Sequence, residues 1–257
     1  MMSWRWLLWL IPLYVIALVA LTPASVVKWG AGLAPEQGLH VSSTAGTIWN
    51  GKANISAELP TGGTLVLEDV QWQLNPWKLF LAKAEIALDI PSKNYIYGTA
   101  EIHAGLSQAQ LKGNLKGAMQ PAIQQLKLPV PITMAGNFEL DINDYQVSDF
   151  NSGKICDALS GTINTRQTEM RINQQWHELG DYLATLSCNA ENGINVRIDD
   201  NNIVGLRVDA QINGRMTAPQ ISFTGSLKPT LQTPQPISEL LVFIGKPDAQ
   251  GRYNFKW

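Results

Sequence analysis

Apolar and polar side chains alternate along most of the chain after residue 52, which is the period of a β-strand with one buried face. The alternation is clearest in four segments, 53–59, 132–141, 194–198 and 204–212. About a dozen segments of this kind follow one another between turn residues. The pattern predicts a mainly β chain built as a many-stranded antiparallel sheet, curved into a groove or folded as a sandwich.

The apolar phase slips once within a predicted strand, between Thr64 and Leu74. Leu65 and Leu67 share one phase, whereas Val70 begins the other. One extra residue at Glu68–Asp69 would return both halves to the same face. The sequence therefore predicts a β-bulge at this point.

Helical periodicity is scarce in the body of the chain. The best segment runs near 236–244, where Pro236 suits a first helical turn and Gly245 suits the end. Four apolar side chains share one helical face there: Ile237, Leu240, Leu241 and Ile244. We expect a short C-terminal helix at this point and a second short helix at 121–128.

The N-terminus carries a long uncharged run from Trp6 to Val27. As a helix this run would be about 33 Å long, enough to cross a hydrocarbon core of about 30 Å. We therefore expect one transmembrane helix over residues 6–27. Indole rings stand near both of its ends, as they do at membrane interfaces: Trp4, Trp6, Trp9 and Trp29.

The charges that flank this run indicate its orientation. Arg5 and the terminal amine precede the run and Lys28 follows it, which favours a cytoplasmic N-terminus over residues 1–5. The bulk of the chain would then lie in the periplasm, held to the cell inner membrane by a single span. A cleaved signal peptide is the alternative, although the run exceeds the usual apolar length of about 7 to 15 residues.

Two cysteines, Cys156 and Cys188, are present. In an exported protein a pair of cysteines predicts a disulfide. The bridge would stabilise the fold by about 3 to 4 kcal/mol in the chain-entropy account. Two buried free thiols are the alternative, and a metal site is disfavoured because no histidine pair has ligand spacing.

No chemical motif accompanies the strands. The net charge of −2 gives no basic footprint for nucleic acid. His40, His103 and His177 have no partner at metal spacing, and no phosphate loop, nucleophile elbow or dinucleotide fingerprint occurs. We therefore expect no catalytic residue, no metal and no cofactor. A periplasmic hydrolase is the least favoured hypothesis. It is kept as an alternative because a pair of catalytic carboxylates that meet only in the folded protein leaves no motif in the sequence.

A short repeat raises the possibility of an internal duplication. The tripeptide Gly46-Thr47-Ile48 recurs as Gly161-Thr162-Ile163. Two similar β lobes, 28–129 and 130–257, would account for it. Chance explains so short a repeat nearly as well.

Two local motifs stand out from the rest of the sequence. The first is G-T-I-W-N-G over residues 46–51, in which glycines permit a tight turn and the indole supplies a large apolar group. The second is W-Q-L-N-P-W over residues 72–77, in which a proline ends a strand. Core packing at a strand start and a strand end is the plain structural interpretation of both.

These motifs, behind one N-terminal span in a chain of 257 residues, resemble the type II secretion system protein N family. The C-terminal segment 245–252 also fits that family. The residues that carry the resemblance are Gly46, Thr47, Trp49, Gly51, Trp72, Leu74 and Pro76.

The resemblance implies an accessory inner-membrane component of the machine that exports folded periplasmic proteins across the outer membrane. Its partners would be other components of that system in the inner membrane and periplasm, and the resemblance supplies no catalytic residue. The family also looks like anchored β-groove proteins of the envelope. An envelope protein that handles lipid is the second hypothesis, because an amphipathic sheet that curls without closing would form a groove lined by apolar side chains such as Leu206, Val208, Ala210 and Ile212.

Overall fold

The computed structural model describes residues 4–32, 38–58, 63–126, 133–149, 153–215, 218–243 and 245–256. Five helices and thirteen strands occur in these ranges. The helices are α1 Trp4–Ala20, α2 Ser25–Gly32, α3 Pro76–Leu79, α4 Met119–Leu126 and α5 Gln235–Leu240. The strands are β1 Leu39–Gly46, β2 Asn50–Glu58, β3 Thr64–Leu74, β4 Ala84–Ile90, β5 Ile96–Ala104, β6 Gln108–Ala118, β7 Met134–Ser148, β8 Ala158–Ile172, β9 Gln175–Cys188, β10 Ile194–Ile198, β11 Leu206–Arg215, β12 Ala218–Leu227 and β13 Tyr253–Lys256.

All thirteen strands form one open antiparallel sheet in which each strand pairs with its neighbours in sequence. The predicted many-stranded antiparallel sheet is confirmed. The sandwich alternative is wrong for the described residues, because they build one sheet and not two packed sheets. Pairing continues from β6 to β7 across the proposed lobe boundary at 129–130, and residues 127–132 themselves lie outside the described ranges.

The bulge predicted in β3 is confirmed. Ala53 of β2 pairs with Val70 and Ile55 pairs with Leu67, so Glu68 and Asp69 together face one residue of β2. Asp69 adopts φ 49°, and its backbone N–H donates to the Asn54 side chain at 2.9 Å. The extra residue keeps the apolar side chains of both halves of β3 on the same face.

Two lysines surround the carboxylate at this bulge. Lys93 Nζ donates to Asp69 Oδ2 at 2.5 Å and Lys52 Nζ lies 3.3 Å from Oδ1. The hydrogen bond from Lys93, followed by that from Lys52, holds the pKa of Asp69 below its usual value. A lowered folded-state pKa stabilises the fold above the unfolded pKa, and this stabilisation disappears as the pH falls through the folded value.

Replacing Asp69 with asparagine, which tolerates positive φ equally well, should therefore destabilise the protein at neutral pH. The difference between wild type and Asp69→Asn should shrink as the pH falls below about 4. Urea unfolding at a series of pH values measures this difference. If the difference in the free energy of unfolding between the two proteins stays constant from neutral to acid pH, the carboxylate charge contributes nothing to stability.

The N-terminal helical region differs from the expectation of one helix over 6–27. Helix α1 ends at Ala20 and α2 begins at Ser25. Between them Pro23 forms an isolated antiparallel bridge with Thr47. The break has a physical reason, since proline disfavours helix in the residue before it and the chain here pairs with the β1–β2 turn. Among the helices of the described residues, none combines the length and apolar character needed to cross a membrane.

The C-terminal segment predicted near 236–244 contains α5 and a 3-10 turn, Leu241–Phe243. Ile244 lies outside the described residues. Ile237 and Leu241 are buried, and Ile237 packs with Leu179 and Val204 in a small apolar cluster. A second cluster joins Ala24, Ala53 and Trp72 near the N-terminus.

One face of the sheet is apolar from β4 to β13. Cross-strand partners form an unbroken row of apolar residues and glycines on it: Ile90, Gly98, Leu115, Leu140, Ile163, Ala184, Ile198, Val208, Gly225 and Phe255. Only Ala184 in this row is fully buried, and the others are partly exposed. The face is therefore continuous but incompletely covered.

The connections between strands lie at two ends of the sheet. We call the near end the one that carries the turns 46–50, 75–83 and 105–107. The far end carries the connections 91–95 and 228–252.

Candidate functional site

The first motif forms the tight turn between β1 and β2. Thr47 N–H donates to the Asn50 carbonyl at 2.9 Å, and Asn50 N–H donates to Thr47 Oγ1 at 3.1 Å. Gly46 adopts φ 90°, a left-handed conformation that favours glycine. A Cβ atom there would lie 2.6 Å from the Asn50 carbonyl oxygen. The glycine and the threonine of the motif therefore fix the shape of this turn.

The same turn fastens the N-terminal segment to the sheet. Ile48 N–H donates to the Thr22 carbonyl at 3.0 Å and Ala24 N–H donates to the Gly46 carbonyl at 3.0 Å. Trp49 Nε1 donates to the Val19 carbonyl, near the C-terminal end of α1, at 2.9 Å. The Val19 carbonyl also accepts from Thr22 N–H at 3.3 Å, so Trp49 supplies a second donor at the end of the helix. Trp49 is therefore a side-chain link between α1 and the sheet.

Trp72 is the buried indole beneath this junction. It packs with Ala24 and Ala53, and its Nε1 donates to the Ile48 carbonyl at 2.9 Å. Gly51 makes room for the ring, because a Cβ atom on Gly51 would lie 2.5 Å from Trp72 Cζ2. The two motifs thus meet in space although about 20 residues separate them in sequence.

The end of β3 joins the junction as well. Leu74 N–H donates to the Trp49 carbonyl at 2.7 Å. Asn75 then caps α3, with its side chain accepting from Trp77 N–H at 3.1 Å, and Pro76 occupies the first turn. The motif residues are thereby brought together at the near end, and we call Gly46, Thr47, Trp49, Gly51, Trp72, Leu74 and Pro76 the junction.

Adding one methyl group to Gly51 tests how tightly the junction packs. Gly51→Ala would place Cβ 2.5 Å from the Trp72 ring and 2.7 Å from the Thr47 carbonyl oxygen, so ring and turn must move apart. We expect a loss of about 1–3 kcal/mol in the free energy of unfolding, as for overpacking. Gly105→Ala is the matched control, because its nearest atom would lie 3.5 Å away. Equal stability of both variants in urea unfolding would contradict this packing.

The two cysteines lie at the same end of the sheet. Cys156 and Cys188 form a disulfide, with their Cα atoms 5.6 Å apart. The bridge joins the connection before β8 to the last residue of β9. Cys156 is buried, and its N–H donates to the Asn192 carbonyl at 2.9 Å. The disulfide therefore fixes a non-local contact between three neighbouring strand ends.

Several titratable groups of the described residues have hydrogen-bond or ion-pair partners in the sheet. Within the described ranges, no group of three His, Cys, Asp or Glu side chains could hold a metal ion. His103 lies 4.0 Å from Glu85 on the outer face. Burial raises the pKa of Tyr182 to about 12, and hydrogen bonds from Ser148 lower the pKa of Asp157. These groups serve the packing and the hydrogen bonding of the sheet.

The sequence analysis missed one surface feature of the near end, which we call the aromatic loop, residues 77–81. Trp77, Phe80 and Leu81 are 76%, 83% and 69% exposed. The available signal was W-K-L-F-L-A-K directly after the strand-ending Pro76, a run of apolar residues between two lysines. Only Trp77 of this run belonged to a motif recognised from the sequence.

Comparisons with known proteins complete the description of this site. The family model for type II secretion system (T2SS), protein N, matches residues 37–256. The chain is 24% identical over 243 residues to the type II secretion system protein N of Aeromonas hydrophila, covering 91% of this chain and 89% of that protein. It is also 24% identical over 227 residues to the protein of that name from Vibrio cholerae serotype O1, covering 85% and 84% of the two chains. No solved structure matches the chain.

Proposed function

Since the chain belongs to the type II secretion system protein N family, we propose that it is a non-enzymatic accessory component of that system, supporting export of folded periplasmic proteins across the outer membrane. The observation that carries the proposal is the family match over residues 37–256, which spans all thirteen strands. The architecture supports it, because an extended sheet with open edges suits a scaffold.

We place the protein in the inner membrane through α1, with the sheet in the periplasm. The consecutive residues Leu13, Tyr14, Val15 and Ile16 are all exposed, and at about 100° per residue they point to every side of the helix. A helix that is apolar all round belongs in a core or a membrane. With 17 residues α1 rises about 26 Å and is shorter than a usual membrane span, so this placement requires a locally thinned bilayer.

The open edge of β12 is the contact that we propose for partner proteins. Strand β13 pairs only with Thr224–Leu227, so residues 218–222 have no neighbouring strand on that side within the described ranges. Their backbone groups are available to a strand from another protein. Gln220, Ile221 and Ser222 are exposed there. Addition of a partner strand would extend the sheet without any change in the fold.

Deletion of the gene in its own host tests the proposal. We expect loss or reduction of substrate secretion, restoration by the full chain, and co-purification of other secretion components with the tagged protein. A variant with Ala45→Ser, an exposed β1 position, serves as a control for expression. Normal secretion of every substrate in the deletion strain, together with absence of co-purifying components, would refute the proposal.

Lipid handling is the second candidate function, and the incompletely covered apolar face favours it. Leu140 lies on that face, in the row between Leu115 and Ile163. Its neighbour Glu139 lies on the outer face, where it contacts Lys116 at 2.7 Å. A photoreactive residue at 140 should crosslink phospholipid in the envelope if the apolar face binds acyl chains, whereas the same residue at 139 should not. Equal crosslinking at both positions, or none at 140, would argue against this candidate.

A further inference from the structure

The aromatic loop exposes more large apolar surface than a turn between two strands requires. Trp77, Phe80 and Leu81 project outward, and the Trp77 and Phe80 ring centroids lie 6.1 Å apart. Patches of adjoining exposed apolar side chains mark contact sites for membranes or other proteins. We therefore expect a membrane or another protein to cover the loop.

The backbone of the loop is held in place, so the exposure is a property of the fold. Asn75 caps α3 through Trp77 N–H. Leu81 N–H and Lys83 N–H both donate to the Lys78 carbonyl, at 3.0 and 3.1 Å, and Ala82 N–H donates to the Leu79 carbonyl. The apolar side chains are thus presented outward on a formed turn.

The position of the loop beside α1 favours a membrane as the group that covers it. Leu74, two residues before Pro76, donates to the Trp49 carbonyl, and Trp49 Nε1 donates to the Val19 carbonyl near the end of α1. The loop and the apolar helix therefore lie at the same end of the sheet, joined through one tryptophan. Leu106, 89% exposed, lies in the adjacent turn of that end, since Ala84 and Ala104 are register partners.

The charges beside the loop fit a surface of anionic lipid. Lys78 lies between Trp77 and Leu79, and Lys83 follows the loop. Both line one cleft together with Lys112 and Asp157. Glu85 offsets part of this charge, with its Oε2 3.6 Å from Lys78 Nζ. Indole and phenyl rings prefer the headgroup level of a bilayer, and lysines beside them reach anionic headgroups.

We propose that the aromatic loop inserts into the headgroup region of the membrane beside α1 and forms a second membrane contact. This inference rests on the proposed placement of α1 in the inner membrane. Two contacts at one end would restrain the tilt of the sheet relative to the membrane surface, which a single helix cannot do. The far end would then be directed away from the bilayer.

The test uses the full chain in vesicles of phosphatidylethanolamine and phosphatidylglycerol, with an environment-sensitive fluorophore on a single added cysteine. The natural cysteines are both in the disulfide, so the label has one target. The variants are Phe80→Cys in the loop, Leu231→Cys at the far end, and Leu13→Cys in α1. Leu231 is the matched control because it too is highly exposed, at 107%.

We expect the label at position 80 to be quenched by spin-labelled lipid and several-fold less accessible to aqueous iodide than the label at 231. Lys78→Glu with Lys83→Glu should move the label at 80 toward water, because both charges would then repel the lipid. Both lysines are surface residues, so the fold should survive.

Equal iodide access at positions 80 and 231 overturns the inference, and a protein partner would then be the group that covers the loop. The label at 13 separates this failure from failure of the proposed anchor. If position 13 is lipid-quenched and position 80 is not, only the loop contact is wrong. If neither is quenched, the anchor and the loop contact both fail, whereas lipid quenching at 80 alone retains the loop contact and removes the anchor.

Discussion

Replacing Trp72 with alanine is expected to lower the free energy of unfolding by about 3–5 kcal/mol, as for other buried aromatic residues. Trp72 fills the space between Ala24 and Ala53, and both are too small to close the cavity left behind. The Ile48 carbonyl would also lose the hydrogen bond from Trp72 Nε1. The N-terminal segment should then detach from the sheet more readily, because Ala24 loses its apolar partner.

Trp77→Ala is the matched control for that experiment. It removes the same side chain only five positions later, yet Trp77 is exposed, so its loss in detergent solution should change stability by no more than about 0.5 kcal/mol. Urea unfolding followed by circular dichroism measures both variants. Equal losses at Trp72 and Trp77 would contradict the assignment of Trp72 to the centre of the junction.

Removing the disulfide should produce the second large effect. The two cysteines are 32 residues apart, and a loop of that size predicts a loss of about 3–4 kcal/mol when the cross-link is absent. The double replacement of Cys156 and Cys188 by alanine and the reduced wild-type protein should unfold at similar urea concentrations. Positions 155 and 156 should gain exposure in both, since the bridge holds this buried segment against the end of β9.

Alkylation with and without reductant controls for the state of the thiols. Unfolding curves that coincide for oxidised wild type and a protein shown by mass spectrometry to be fully reduced would contradict a stabilising bridge. Alkylation of both cysteines in protein isolated from its host cells without reductant would show that the bridge does not form there.

Many strands of the sheet were predictable because they have a wet face and an apolar face. The alternation in the sequence begins at residue 52, however, so β1 was not predicted. In β4 the side chains of Ile86 and Leu88 face inward while Ala87 and Asp89 are exposed. The alternation of apolar and polar residue types in the sequence predicts these two faces. The bulge in β3 was predictable for the same reason, since an extra residue at Glu68–Asp69 shifts the phase visibly.

The break between α1 and α2 was only partly predictable from local sequence, because Pro23 disfavours helix in the residue before it but does not show with what the chain then pairs. Uncharged residues continue through it, and the interaction that stops the helix is a pairing of Pro23 with Thr47, far along the chain. The choice between one sheet and a sandwich was also beyond local patterns, because alternation fixes the faces of a strand and not its neighbours.

The junction was only half predictable. The glycines and tryptophans of the two motifs stand out in composition, but the sequence does not show that Gly51 makes room for the Trp72 ring or that Trp49 reaches the Val19 carbonyl. The aromatic loop was missed because apolar residues near a strand end usually enter the core. Only the structure shows that Phe80 points outward.

The central claim is that this chain works in the type II secretion system through protein contacts, and photocrosslinking in living cells tests it most directly. A photoreactive residue is placed at Gln220 or Ser222 on the open edge of β12, with Lys112, exposed in the middle of the sheet, as the control position. We predict that the edge positions crosslink to another secretion component and that position 112 gives far less of that product. Absence of any such product from the edge in cells that secrete normally would contradict the account.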